Sequence, residues 1–296
     1  HVVSTYDTIT GVLSVYVDGV RVATTTSVPS SSISDGVTLT IGAGQGGTNF
    51  FGGTLDEFRF YSRVLSPDEV AQLYRLTAPT GVDTGLKGYW SFNGQDMSAT
   101  TAFDRSGSGN TGTLGGDVTK SLGKIGQGLA FGGTNGIVDM NDINAMDGVA
   151  NVTLSAWMKR SATNSIVTVG KSVDQYRRFN INFYSDGNVY INVGTGSGEP
   201  YGYFASNDTN WHHVVVVFDG SLSGNSNRLK AYVDGVATSL TFSGTIPATT
   251  NSNSDDFTVG YAPLFGGYTV GKIDEVRLYS RSLTEAEAIA LYNQGR

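Results

Sequence analysis

The sequence predicts an all-β protein, an antiparallel β-sandwich with one short helix closing each of two related units. Three observations carry this expectation. Short runs of β-branched and aromatic residues are broken at regular intervals by Asp-Gly and Gly-rich turns, the pattern of strands in a sandwich. One set of motifs occurs twice along the chain. The helical start signals are two capping boxes, one near the end of each copy.

In the longer unit the strand runs are Val152–Met158, Phe179–Tyr184, Val189–Val193, His213–Phe218 and Leu229–Val233. The turns between them include Ser185-Asp-Gly-Asn188, Gly194-Thr-Gly-Ser-Gly198 and Phe218-Asp-Gly220. The capping boxes are Ser66-Pro-Asp-Glu69 and Thr284-Glu-Ala-Glu287, a hydroxyl with a Glu three residues later. Behind them Val70, Leu73 and Tyr74, and Ile289, Leu291 and Tyr292, form apolar stripes expected to dock on the sheets.

The repeat matches Leu13-Ser-Val-Tyr-Val-Asp-Gly19 with Leu229-Lys-Ala-Tyr-Val-Asp-Gly235. It also matches Leu55-Asp-Glu-Phe-Arg-Phe-Tyr-Ser-Arg63 with Ile273-Asp-Glu-Val-Arg-Leu-Tyr-Ser-Arg281, and His1-Val2-Val3 with His213-Val214-Val215. Residues 1–77 therefore read as the rear part of a unit whose front part is missing. Residues 78–87 read as a Pro/Gly/Thr linker, and 88–296 as one complete unit. Half a sandwich leaves inner-face apolar side chains and strand edges bare. Such a half is expected to be covered by neighbouring repeat units, by the complete unit, or by another chain that completes residues 1–77.

Composition narrows the chemistry. The 296 residues carry a net charge of −7, with only 15% charged residues, which argues against nucleic acid as a partner. No apolar run approaches the length of a membrane span. The chain has no Cys, which excludes disulfides, thiol nucleophiles and zinc–thiolate sites, and its 3 His leave little for His-based catalysis. Its 15 Tyr and 14 Phe are sufficient for a packed core.

The longer unit resembles the LamG-like jelly-roll domains of the concanavalin A-like lectin/glucanase group. The resemblance rests on Gly88-Tyr-Trp-Ser-Phe92, Asp104-Arg-Ser-Gly-Ser-Gly-Asn-Thr-Gly112, Leu154-Ser-Ala-Trp-Met158, Trp211-His-His-Val-Val215, Tyr232-Val-Asp-Gly235 and Ile273-Asp-Glu-Val-Arg-Leu-Tyr279. Residues 1–77 carry only the last two. The resemblance implies a two-sheet jelly roll repeated along secreted or cell-surface proteins, including bacterial surface proteins. It also implies an association with glycan binding or adhesion, and Ca²⁺ in some members.

No catalytic residues are assigned. A glycosidase needs two carboxylates flanking the sugar bond. The glucanase relatives carry Glu-x-Asp-x-Glu on one strand face, and this chain has no such triplet. Asp56-Glu57 and Asp274-Glu275 are adjacent, so strand alternation is expected to send them to opposite faces. One of them is expected to pair with the Arg that follows. Trp211-His212-His213 reads as packing and turn hydrogen bonding, and Trp90 and Trp157 as core. If the first and last strands are neighbours, Asp104 and Asp274 are candidate ligands for a structural Ca²⁺. The candidate glycan site is the set Tyr176, Arg177, Arg178, Tyr184, Tyr190, Tyr201 and Tyr203. Aromatic faces stack on sugar C–H groups, amides and hydroxyls supply directional bonds, and arginine forks grip acidic sugars. Against this, alternating strand tyrosines commonly serve as half-buried sheet cover. The functional expectation is a non-catalytic carbohydrate-binding or adhesion module. The alternatives are a structural spacer with no tight ligand and a glycan-active hydrolase.

Overall fold

A computed structural model describes residues 1–26, 28, 39–44, 49–53, 55, 58–77, 81–172, 174, 176–263 and 267–295. The chain divides into two compact units, His1–Thr80 and Gly81–Arg296.

In the first unit β1 (Val2–Asp7), β2 (Val12–Val17) and β3 (Val20–Thr25) form an antiparallel sheet, and α1 (Pro67–Thr77) follows. Val17 pairs with Val20 across Asp18 and Gly19, at φ 50° and 77°. A two-residue loop in the left-handed region matches the strand twist, and Asp-Gly fills it with little strain. Asp234 and Gly235 repeat this turn in the second unit, at φ 51° and 77°. The Ser66 cap forms: its hydroxyl accepts from the Glu69 amide at 3.2 Å, and Glu69 accepts from the Ser66 amide at 2.8 Å. Val70 is fully buried with Tyr16 and Leu65, and Val3 and Leu73 pack on them. Phe58 and Phe60 are 57% and 79% exposed, whereas their repeat equivalents Val276 and Leu278 are fully buried in the second unit. Asp56 and Glu57 lie outside the described residues.

The second unit opens with β4 (Leu86–Trp90), β5 (Thr101–Ala102), β6 (Gly112–Gly115), β7 (Thr119–Leu122), β8 (Gln127–Gly132) and β9 (Ile137–Asp142). It continues through β10 (Asn151–Arg160), β11 (Val167–Ser172), β12 (Arg178–Phe183), β13 (Asn188–Val193), β14 (Tyr201–Ala205) and β15 (His212–Asp219). After the short α2 (Asn225–Arg228) come β16 (Leu229–Val233), β17 (Val236–Thr238), β18 (Thr241–Ser243) and β19 (Asp256–Val259). The hairpin β20 (Tyr261–Ala262) and β21 (Gly267–Tyr268) precedes β22 (Val270–Tyr279) and α3 (Glu285–Gln294). Among the described residues these strands build an eight-stranded sheet, β17-β16-β15-β10-β22-β8-β7 with β4 also on β22. The second is a nine-stranded sheet, β18-β14-β13-β12-β11-β19-β9-β6-β5.

The core lies between the two sheets. Leu154, Val216 and Ile273 from one meet Val169, Phe179 and Ile181 from the other, with Trp90 stacked on Phe257 at 5.5 Å. Each such side chain contributes about 1.5–3 kcal/mol on leaving water. A second cluster, Val215, Val217, Tyr232 and Tyr279, is covered by Leu283, Ala288 and Leu291 at α3. Ala288 takes the docking position expected of Ile289, which is 36% exposed. The Thr284 cap is complete, with both reciprocal bonds to Glu287. Trp157 is buried, but on the α3 side, against His213 at 5.0 Å and Tyr292 at 5.6 Å. Residues 81–87 belong to this fold rather than to a linker: Val82 packs in the α3 cluster and Leu86 pairs with Tyr279.

One expectation is overturned at β22. Along one edge this strand pairs with β10; along the other, Val270–Ile273 pair with β8 and Val276–Leu278 with β4. The changeover falls at Asp274 and Glu275, with a register shift against β10 and Glu275 at φ 52°. Ile273, Val276 and Leu278 all face the core. The bulge therefore keeps both carboxylates out of the core row instead of sending them to opposite faces.

Candidate functional site

The strands β11 to β14 lie side by side and send Val167, Val169, Ile181, Ile191 and their neighbours into the core. The alternate residues face outward and line up by register. One row runs Thr168–Asn182–Tyr190–Tyr203–Thr241, and the next runs Gly170–Asn180–Asn192–Tyr201–Ser243. The outer face is therefore aromatic on β13 and β14 and polar on β11 and β12.

The aromatic half is one contiguous cluster. Tyr190 stacks on Tyr203 at 5.5 Å and meets Tyr201 and Tyr184 edge-on at 5.3 and 5.9 Å, while Tyr201 lies 6.2 Å from Tyr203. All four are half-buried, so their rings keep accessible surface. The Tyr190 hydroxyl donates to Asp186 at 2.7 Å. Burial, and then the hydrogen bond to that carboxylate, push the Tyr190 phenol up to about 12. Burial draws the Asp186 carboxyl up, but the Asn188 amide and the Tyr190 hydroxyl outweigh it and hold it below its ordinary value.

The polar half is buried and incompletely bonded. Asn192 donates to the Asn180 carbonyl at 2.8 Å. Asn180 Nδ2, both amide atoms of Asn182, Thr168 Oγ1 and Ser172 Oγ have no hydrogen-bond partner. Gly170 sits among them at φ 137°, where an added Cβ would lie 2.4 Å from the Phe179 carbonyl oxygen and 2.6 Å from the Asn180 Cα. That contact with backbone excludes any side chain here.

Of the seven residues expected to bind glycan, the structure gathers Tyr184, Tyr190, Tyr201 and Tyr203. Tyr176 and Arg177 lie on the adjoining turn, where Asp174 accepts both of their amides at 2.8 Å. The Arg177 guanidinium pairs with Asp174 at 2.8 Å and with Asp255 at 3.8 Å, and the buried Arg178 pairs with Glu199 at 3.1 Å. The two guanidinium groups expected to grip an acidic sugar are thus engaged by carboxylates of the protein. Sequence reasoning missed Thr168, Asn180, Asn182 and Asn192. The signal was present: Phe179-Asn-Ile-Asn-Phe183 places Asn, a poor strand former, at every second position of a core strand.

The first and last strands of the unit do pair, Trp90 with Val276, yet Asp104 and Asp274 are both occupied by donors. Asp104 accepts from the amides of Tyr89, Ser106 and Asn110 and from the Ser106 hydroxyl, all within 3.0 Å, and so ties the 104–112 loop to β4. Asp274 accepts from the amides of Lys124, Ile125 and Glu275 at 2.8 to 2.9 Å. Burial, and then the Glu275 charge, push its carboxyl up to about 8 against those three amides. A calcium site requires oxygens aimed at a common point; here the donors of the fold take that place, so the two carboxylates do not fit the ion. Among the described residues no group of three or more His, Cys, Asp or Glu is gathered for a metal. Glu275 is held by Arg277 at 2.6 Å and by the Tyr89 hydroxyl at 2.9 Å, as the expected carboxylate–arginine pair. At 0% and 1% exposure, Asp274 and Glu275 are sealed from a glycosidic bond. His212 bridges Asp234 at 2.8 Å and Asp208 at 2.9 Å, a turn-fastening role. Among the described residues no helix is long and apolar enough to cross a membrane.

The chain belongs to the concanavalin A-like lectin/glucanase superfamily: the Laminin_G_3 family model matches residues 1–71 and 131–289. Solved structures share the fold. Domain 4 of AbnA, an extracellular arabinanase from Geobacillus stearothermophilus in complex with arabinotriose, is 22% identical at a TM-score of 0.52, over 70% of this chain and 98% of that one. A botulinum neurotoxin type C structure, described as entering cells through two ganglioside molecules, is 15% identical at 0.54 over 73% of this chain. The binding domain of botulinum neurotoxin DC with SialylT is 16% identical at 0.52 over 73%. The chain spans about half of the two toxin structures, 53% and 52%. No curated protein matches the sequence.

Proposed function

We propose that this chain is a non-catalytic carbohydrate-binding module of a secreted or cell-surface repeat protein, and that it holds glycan on the outer face of its nine-stranded sheet. The observation that carries the reading is the contiguous Tyr184, Tyr190, Tyr201 and Tyr203 cluster set beside a polar floor. Tyrosine rings offer stacking surface together with a hydroxyl, and the neighbouring amides offer directional bonds, the combination that sugar recognition uses. The arabinotriose and ganglioside contexts of the structural neighbours support a binding role in this fold.

The test is retention of the whole chain on immobilised neutral and acidic polysaccharides, with Ca²⁺ and with a chelator. Retention is expected on at least one polysaccharide, and the double variant Tyr190→Ala/Tyr203→Ala is expected to lose at least tenfold in affinity. Equal retention with and without chelator removes the ion from binding. Absence of retention on every polysaccharide replaces the reading with that of a spacer, and release of sugar products replaces it with that of a hydrolase.

A further inference from the structure

Thr168, Asn180 and Asn182 are at most 1% exposed, yet four of their side-chain polar atoms have no partner: Thr168 Oγ1, Asn180 Nδ2, and Asn182 Oδ1 and Nδ2. Leaving a buried polar group unsatisfied is costly, because it gives up its hydrogen bonds to water and gains none in return. Asn is also a poor strand former, so the fold alone favours Val or Thr at these positions. The three residues are not scattered. Thr168 pairs with Asn182, Asn182 stands one strand from Tyr190, and Tyr190 pairs with Tyr203. Thr168 and Asn182 therefore share the register row of Tyr190 and Tyr203, and Asn180 lies in the next row, with Tyr201. An amide carries donors and an acceptor together, which suits adjacent hydroxyls that each donate and accept.

The charges of the rim define the ligand further. Arg177 and Arg178 are taken by Asp174, Asp255 and Glu199, and Asp186 sits at the Tyr190 hydroxyl. A carboxylate sugar meets like charge here and gains little from the neutralised guanidiniums.

We propose that Thr168, Asn180 and Asn182 form a hydroxyl-reading subsite that takes neutral sugars with adjacent free hydroxyls and disfavours uronic acids. The proposal rests on the glycan-binding reading above. Because the floor is buried, a sugar reaches it as a neighbouring side chain of the row rotates or through a bridging water. The subsite is kept for ligand at the expense of stability, and this makes it separable from a structural role.

The experiment uses the full chain, wild type and Asn182→Val, on neutral arabinan and β-glucan and on acidic polygalacturonate. Thermal unfolding is followed alongside. The expected result is a Tm equal to or above the wild type, affinity for the neutral polysaccharide lowered about tenfold, and no retention on polygalacturonate. Unchanged affinity in the Val variant overturns the subsite, as does tighter wild-type binding to polygalacturonate than to the neutral polymers. If Asn182→Val lowers the Tm, Asn182→Thr, which keeps a hydroxyl and strand propensity, must restore the Tm and part of the affinity, or the role is structural. Failure of the wild type to bind any polymer removes the glycan reading itself, and the subsite with it.

Discussion

His213 gives the second unit an acid-sensitive contribution to its stability. This imidazole is fully buried, with Nε2 at 2.9 Å from the Ser155 hydroxyl and Nδ1 without a partner. Burial, and then the Arg277 charge, lower it to about 3, against the opposite pull of Asp234. In the unfolded chain a histidine titrates near 6.5. Between these values the unfolded state binds the extra proton, so stability is complete above about pH 6.5 and falls as pH is lowered toward 3. From pH 7.5 to 5.0 the loss is about 2 kcal/mol, a shift of roughly 1 M in urea midpoint for a slope of ~2 kcal/mol per molar. All 3 tryptophans, Trp90, Trp157 and Trp211, lie in the second unit, so their fluorescence reports it selectively. His212 and Asp274 contribute with the opposite sign. His212, raised first by the bond to Asp234, gives stability that is complete below 6.5 and lost as pH rises through its raised value. Asp274, pushed up to about 8 first by burial, gives stability that is lost as pH rises through about 8. Those contributions are shared by wild type and variant and cancel in their difference. Urea titrations of wild type and His213→Gln at the two pH values should differ in their pH dependence, the wild type losing about 2 kcal/mol more than the variant between pH 7.5 and 5.0. Parallel pH dependence in the two proteins refutes the reasoning.

Two further outcomes follow from local geometry. Gly170→Ala places a Cβ 2.4 Å from the Phe179 carbonyl oxygen at φ 137°, and should lower stability by about 3 kcal/mol or more in a urea titration. Thr284→Ala removes the acceptor of the Glu287 amide at the start of α3, and should cost about 1 kcal/mol by the same measurement.

The strands β10, β12, β13, β15 and β16 were legible because Val and aromatic alternation survives burial on one or both faces. The two longer helices, α1 and α3, were legible because Ser66 with Glu69 and Thr284 with Glu287 satisfy backbone amides locally. What escaped depends on contacts distant in the chain. The bulge at Asp274 and Glu275 arises where β22 changes partner from β8 to β4, and no feature within the strand itself requires a Glu at positive φ. Val82 and Leu86 look like linker until α3 and Tyr279 are placed over them. The tyrosines could be named from spacing, but their grouping required the register of β12, β13 and β14. The asparagines beside them, already placed in strands, escaped as site residues because their neighbours across the sheet are not adjacent in sequence.

The position of β22 also bears on how the unit is made. This strand lies between β10 on one side and β8 and β4 on the other, although it is the final strand of the unit. A ribosome delivering the chain from its N-terminus therefore releases both flanks of the eight-stranded sheet before the strand that joins them. Until residues 270–279 emerge, β4, β8 and β10 each keep an open edge, and closure waits on contacts between the two ends of the domain. Such long-range closure is slow, so the interval before the last strand arrives is when the nascent unit is most open to pairing with a neighbouring copy.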